Sequence, residues 1–191
     1  MKTDGYKAIV IGGSSGSMEA LLTIFSEISD SIGLPIIIVC HVHPHDSGGL
    51  VEFFCQQTGL DIKEAGDKEL IQSGSIYFAP ANYHLLIEQD MTFSLTIDTR
   101  VNYSRPAIDV LFESAAFVYR DHLIGILLTG ANHDGAAGIS VIKKYGGYTI
   151  AQDPESAECP VMPQAAIDTG DVDTILPVPQ IMDFIKTKVV S

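Results

Sequence analysis

At 191 residues, 46% of them hydrophobic, the chain is long enough for one well-buried core and short for two domains. Its net charge of -13, from 24 acidic and 11 basic residues, excludes nucleic-acid binding through a basic surface. No apolar stretch approaches the ~18 to 20 residues of a membrane span, and Met1 to Tyr6 lead into a strand instead of a signal sequence, so no membrane insertion is expected. The acidic residues are spread along the chain without a like-charge run, which describes a solvated surface and names no partner. Cys40, Cys55 and Cys159 are odd in number and lack C-x-x-C spacing, as expected of free thiols in a reducing compartment; a cytoplasmic address follows.

Apolar runs of strand length recur at Ala8 to Ile11, Pro35 to Cys40, Ile76 to Ala79, Leu123 to Leu128, Tyr148 to Ala151 and Thr174 to Leu176. They are continuous, the pattern of strands covered on both faces. Between the first two, Met18, Leu21, Leu22, Phe25 and Ile28 share one face at helical spacing. Tyr83 to Glu88 and Thr92 to Ile97 flank Gln89-Asp90-Met91 and predict an antiparallel hairpin. After Pro106, read as the first helical residue, Ile108, Leu111, Phe112, Ala115 and Tyr119 form a second helical face. A third helix is predicted from Asp134 to a stop at Gly146-Gly147. Strands alternating with helices predict an α/β fold: three layers, doubly wound, with a mainly parallel sheet and a small antiparallel hairpin.

In such sheets function gathers beyond the carboxyl ends of the strands. The first strand ends in Gly12-Gly13-Ser14-Ser15-Gly16, a G-x-S-x-G turn into a helix, which exposes a serine hydroxyl beside helix N–H groups that suit an oxyanion. The same residues also form a degenerate phosphate loop, although the second strand ends in Cys40-His41 where an acidic residue would hold a ribose. Ser15 competes with Ser14, and only geometry separates them. That second strand end runs His41-Val42-His43-Pro44-His45-Asp46. Alternate residues of an extended segment point the same way, so His41, His43, His45 and Asp46 also fit a metal-dependent hydrolase. A later strand end carries Asn132-His133-Asp134-Gly135. Asp134 directly precedes a helix, where it suits an N-cap, and a carboxylate has a second oxygen to orient an imidazole. Serine, histidine and aspartate thus reach one sheet edge in a triad-like set. His84, His122 and His133 read as ordinary hairpin, strand-edge and loop residues. Arg105 is either a surface residue at a helix start or a substrate-side cation.

Taken together, Gly12 to Ser17 with Glu19-Ala20-Leu21, the His41 segment, Ile76 to Pro80, Ser104-Arg105-Pro106 with Asp109 to Phe112, Leu127 to Gly138, and Ala151-Gln152-Asp153 with Met162-Pro163 resemble the catalytic domain of the CheB chemotaxis methylesterases, in the family's order. The resemblance implies a protein-glutamate methylesterase acting on glutamyl methyl esters of chemoreceptors, with deamidation of receptor glutamines in some members. It places the nucleophile at Ser14, the base at His41 and the third member at Asp134, with no cofactor and no metal. Ser15 and Ala131 fall on the oxyanion or substrate side. The chain departs from the family where Ser14-Ser15-Gly16-Ser17 stands for Ser-Thr-Gly-Gly, Cys40-His41-Val42 for Gln-His-Met, and Thr129-Gly130-Ala131-Asn132 for Thr-Gly-Met-Gly. The implied partners are the cytoplasmic helices of methyl-accepting chemoreceptors. One methylesterase-like domain is expected over residues 1–191, without the family's receiver domain. This implies a free-standing esterase, a domain cut from a longer protein, or an enzyme regulated in trans by a receiver-domain or methyltransferase partner. A catalytically silent adaptor that binds receptor helices stays open beside these.

Overall fold

A computed structural model describes residues 5–28, 33–41 and 48–189. In chain order the elements are β1 (Ala8–Gly13), α1 (Ser17–Ser26), β2 (Ile36–Cys40), α2 (Gly49–Thr58), β3 (Ile62–Glu64), β4 (Ile76–Phe78), β5 (His84–Ile87), β6 (Phe93–Thr96), α3 (Ile108–Tyr119), β7 (Leu123–Leu127), α4 (Ala136–Lys144), β8 (Tyr148–Gln152), α5 (Val161–Asp168), β9 (Thr174–Leu176) and α6 (Val178–Val189). Seven strands form one parallel sheet in the order β3-β4-β2-β1-β7-β8-β9, and β5 pairs with β6 antiparallel. Neighbours of β1 are set by register: Ile9 lies opposite Ile36 on one side and Ile124 on the other.

Every residue of β1 is buried because successive side chains enter two different cores. Ala8 and Val10 face a core shared with Leu111 and Phe112 of α3, Ile139 of α4 and Ala166 of α5. Ile9 and Ile11 face the opposite core, with Leu21 and Ile24 of α1, Phe54 of α2 and Ile181 of α6. A strand that serves two cores has no polar face, which is why these runs read as continuous and not alternating. The hairpin lies on the α3 side, where Leu85, Ile87 and Phe93 complete the first core.

Three local expectations shift. The buried stripe of α1 is Ser17, Ala20, Leu21, Ile24 and Phe25, while Met18 is 44% exposed. Small residues at 17 and 20 let the helix start lie close to the sheet, and this rotates Met18 to solvent. Pro106 precedes α3 instead of opening it; Ala107 is the extended N-cap residue, and its side chain makes no cap. The third helix begins at Ala136, two residues after Asp134, behind Gly135 in the left-handed region. β3 and the helices α2, α5 and α6 carry no strong sequence signal. In β3 only Ile62 is buried, as befits a three-residue edge strand with Lys63 and Glu64 exposed.

Candidate active site

The centre of the sheet supplies the site. β2 and β7 flank β1 on opposite sides, and the chain leaves all three strands at the same edge. Such a reversal of strand order opens a crevice beyond the strand ends. Ser14 follows β1, His41 follows β2, and the segment 128–135 follows β7.

Glycine makes the first turn tight enough. A Cβ on Gly13 would lie 2.7 Å from the Ser17 Cβ, so the bare backbone lets α1 start directly against the strand. Gly16 has φ +80, a left-handed conformation that favours glycine. Ser14 is fixed by its backbone, its N–H donating to Thr129 O at 3.0 Å and its carbonyl accepting from Ser17 N–H at 2.9 Å. Its side-chain Oγ lies 3.2 Å from His41 Nδ1. His41 continues the β1–β2 ladder by one bond, its N–H donating to Gly13 O at 3.2 Å. Ser15 is exposed on the turn, and among the described residues only its carbonyl is engaged, by the Thr129 hydroxyl at 3.0 Å. Geometry thus separates the two serines.

Asp134 is fully buried, and its carboxylate accepts four hydrogen bonds. His41 Nε2 lies 2.7 Å from Oδ2. Ile108 N–H donates to Oδ2 at 2.7 Å, Asp109 N–H to Oδ1 at 3.1 Å, and the Asn102 amide to Oδ1 at 2.9 Å. Burial alone pushes this carboxyl up, but His41, the Ile108 N–H, Asn102 and the Asp109 N–H outweigh it and hold it below its ordinary 3.8. An ionised Asp134 fixes the imidazole proton on Nε2, which leaves the Nδ1 lone pair facing Ser14. The ring nitrogens therefore stand in the reverse of the common serine-protease arrangement, in which Nε2 faces the serine. Asn132 braces the same nitrogen: its Oδ1 accepts from Asp134 N–H at 3.0 Å, which turns Nδ2 toward His41 Nδ1 at 3.4 Å.

The capping expectation for Asp134 is corrected in one respect. It caps a helix, but that helix is α3 and not the one it precedes. The N-terminus of α4 is instead held by Asp109, whose Oδ1 accepts from Gly135 N–H at 2.9 Å and Gly138 N–H at 2.7 Å. Each aspartate thus sits at the start of one helix and satisfies the other. Backbone donors nearby divide into two groups. Thr129 N–H is bound to the Gln152 side chain at 2.8 Å and Gly130 N–H to Cys159 O at 3.0 Å. The N–H groups of Ser15 and Ala131 have no acceptor among the described residues.

Comparison with known proteins decides the family. Residues 9–185 match the CheB methylesterase family model. The chain belongs to the CheB methylesterase family. A Leptospira interrogans protein is 49% identical over 94% of this chain and 93% of its own length. A Carboxydothermus hydrogenoformans protein-glutamate methylesterase/protein-glutamine glutaminase is 37% identical over 97% of the chain and 56% of its own length. The crystal structure of the Thermotoga maritima CheB methylesterase catalytic domain superposes with a TM-score of 0.90 at 32% identity, covering 95% of this chain and 98% of that one.

Other candidate residues fall differently on this CheB methylesterase fold. Arg105 works as a clamp, its Nη1 donating to Ile97 O at 2.7 Å and Asp98 O at 2.9 Å, beside a cis Arg105–Pro106 peptide. His84 is buried on β5, where Ala107 N–H donates to Nδ1 at 3.2 Å and Nε2 donates to Thr99 O at 3.0 Å. Both tie down the stretch that carries Asn102. Ala131 is exposed at the site. His43, His45 and Asp46 of the proposed metal cluster lie outside the described residues. Among the described residues no three His, Cys, Asp or Glu side chains gather as a metal site. Asn102, Asp109 and Asn132 were not legible as site residues: nothing in a sequence marks which carboxylate will cap a helix formed by residues 26 positions away.

The two aspartates make opposite contributions to acid stability. Burial and the facing Asp134 charge hold Asp109 above its ordinary 3.8, despite donors from Gly138, Asn102 and Gly135. Asp134, held below that value, gives stability that is full above about pH 5 and lost as pH falls through its folded pKa. Asp109 binds its proton more readily when folded, so its cost is relieved as pH falls through its raised value. Removing the Asp134 charge in Asp134→Asn therefore costs most near neutrality. Urea midpoints of wild type and variant are expected to converge as pH falls from about 7 to 3. A constant gap across that range would contradict the assignment.

Proposed function

We propose that this enzyme hydrolyses glutamyl methyl esters on the cytoplasmic helices of chemoreceptors by acyl transfer through Ser14, His41 and Asp134. The observation that carries the proposal is the unbroken chain from Ser14 Oγ through both ring nitrogens of His41 to a buried, ionised Asp134. At 3.2 Å the Oγ–Nδ1 contact is looser than a tight O–H···N bond, as is usual before substrate binds. His41 Nδ1 takes the hydroxyl proton as Oγ attacks the γ-carbonyl carbon. The tetrahedral oxyanion is received by Ser15 N–H and Ala131 N–H, donors without an acceptor among the described residues. As the intermediate collapses, the C–O bond to the methoxy group breaks and the Nδ1 proton goes to departing methanol. Water, deprotonated by the same nitrogen, then attacks the acyl carbon; glutamate is released and Oγ regains its proton. Asp134 stabilises the imidazolium throughout without taking its proton. No cofactor enters the sequence.

Curated relatives carry a glutaminase activity in their names as well, and the same steps with ammonia leaving would deamidate a glutamine side chain. The proposed substrate, the cytoplasmic helices of a receptor, would put the reaction in the cytoplasm. No described helix is long and apolar enough to cross a membrane. The test is a reaction with a glutamyl methyl ester peptide, quenched in acid at early times. Methanol release with an acyl adduct on the peptide containing Ser14 is the expected result, with Ser15→Ala forming the same adduct. Methanol release without any adduct, abolished by a chelator, would favour the histidine-cluster metal hydrolase. Binding of methylated receptor peptide without methanol would favour the silent adaptor.

A further inference from the structure

We propose that Asn102 is a positioning residue for the Asp134 carboxylate, its single amide group separating two buried aspartates and holding one of them against His41. The proposal rests on the role given above to Asp134. Asp109 and Asp134 are both buried and each caps the helix that the other begins. This exchange brings two carboxylates face to face in a region of low dielectric, where like charges repel strongly. Between them stands the Asn102 NH2 group, which donates one hydrogen to Asp109 Oδ2 at 2.7 Å and the other to Asp134 Oδ1 at 2.9 Å. The remaining oxygen, Asp134 Oδ2, is thereby turned to His41 Nε2 and Ile108 N–H.

The backbone pays conformational strain to place that amide. Val101 and Ser104 exchange two hydrogen bonds, at 3.1 and 2.8 Å, around a two-residue turn. Its central residues, Asn102 at φ 50 and Tyr103 at φ 63, both occupy the left-handed region. Asn tolerates this conformation, but its usual follower in such a turn is glycine, and here the position holds a tyrosine that is 95% exposed. Non-glycine residues held left-handed cluster where surrounding structure requires them. The Arg105 and His84 contacts anchor the stretch on both sides of the turn, so the amide is delivered rigidly.

Asn102→Gly removes the side chain while keeping the backbone conformation accessible. Asn102→Asp keeps the shape but replaces two donors with a third carboxylate. Turnover of a glutamyl methyl ester peptide by both variants, the wild type and Ser14→Ala, with melting temperatures, makes the test. Asn102→Gly is expected to lower kcat about tenfold with KM within about twofold. Asn102→Asp is expected to lower kcat further than Asn102→Gly does. A packing role predicts the reverse order, since aspartate is the closer match in shape. Wild-type kcat in Asn102→Gly, or a kcat for Asn102→Asp at or above it, overturns the proposal. If Asn102→Gly does not fold, the Asp variant decides alone, wild-type turnover in it being the overturning result. With Ser14→Ala inactive, such failures concern Asn102 only; wild-type turnover by Ser14→Ala removes the triad assignment and this one with it.

Discussion

Alanine at position 14 is expected to lower kcat for glutamyl ester hydrolysis by about a millionfold while the melting temperature stays within about 2 °C. The expectation of an unchanged fold comes from the division of labour within Ser14. Its backbone anchors the turn to Thr129 and Ser17, whereas its hydroxyl hydrogen-bonds His41 alone among the described residues. His41→Ala should cost a comparable factor, and the double variant little more, because nucleophile and base act as one unit. Asp134→Asn should fall by about ten-thousandfold, since an amide no longer enforces the proton on Nε2. This third variant differs from the other two in stability. Four donors converge on the carboxylate, and an NH2 group in place of either oxygen would confront at least one backbone N–H of α3. A buried group left without its partner costs about 1–3 kcal/mol. Methanol release by each variant, normalised to the folded fraction from thermal melts, checks the ranking. Ser14→Ala activity within tenfold of wild type would remove serine from the mechanism.

Much of this arrangement is legible in the sequence, and what is not legible is hidden for physical reasons. Continuous apolar runs such as Ile36 to Cys40 announce a doubly covered sheet, because no solvent face imposes alternation. From that inference alone, Ser14, His41 and Asp134 belong at one edge, and they meet there. What stayed hidden depends on pairings across the fold. Asp134 looked like the cap of its own helix, since capping preferences are local and the sequence offers no hint that Asp109 would supply that cap from α3. The buried face of α1 begins at Ser17, one residue before the Met18 that the apolar pattern predicts, for a related reason. Apolarity alone selected Met18, whereas close approach to β1 requires the small Ser17 there. Which ring nitrogen of His41 would face the serine is likewise set by the positions of two neighbours distant in sequence. Arg105 read equally well as a cation for substrate; its binding to the carbonyls of 97 and 98 emerges only once the loop closes on itself.

Alanine at position 135 is expected to destabilise the protein by about 2–5 kcal/mol, the sum of a backbone term and a packing term. Gly135 has φ +96, where an L side chain is strained by about 1–3 kcal/mol. Its added Cβ would also lie 2.5 Å from Leu127 Cδ1 and 2.8 Å from Ile108 Cγ2. Those atoms are the ends of flexible chains, but both residues are fully buried in the core shared by α3 and β1, so they have little space to yield. For a chain of this length the loss amounts to a fall in melting temperature of about 5–15 °C. Gly59→Ala separates the two terms. Gly59 ends α2 at φ +70 with nothing within 4 Å of its virtual Cβ, so it carries the backbone strain alone. Thermal melts should place Gly135→Ala well below Gly59→Ala, and equal melting temperatures would discard the packing term. Activity supplies a second measure of the same displacement. Gly135 N–H is bound to Asp109, and its chain neighbour is Asp134, so a shift of the backbone here moves both aspartates at once. The folded fraction of Gly135→Ala is therefore expected to hydrolyse ester at least tenfold more slowly than that of Gly59→Ala, because the carboxylate that orients His41 is carried by the strained turn itself.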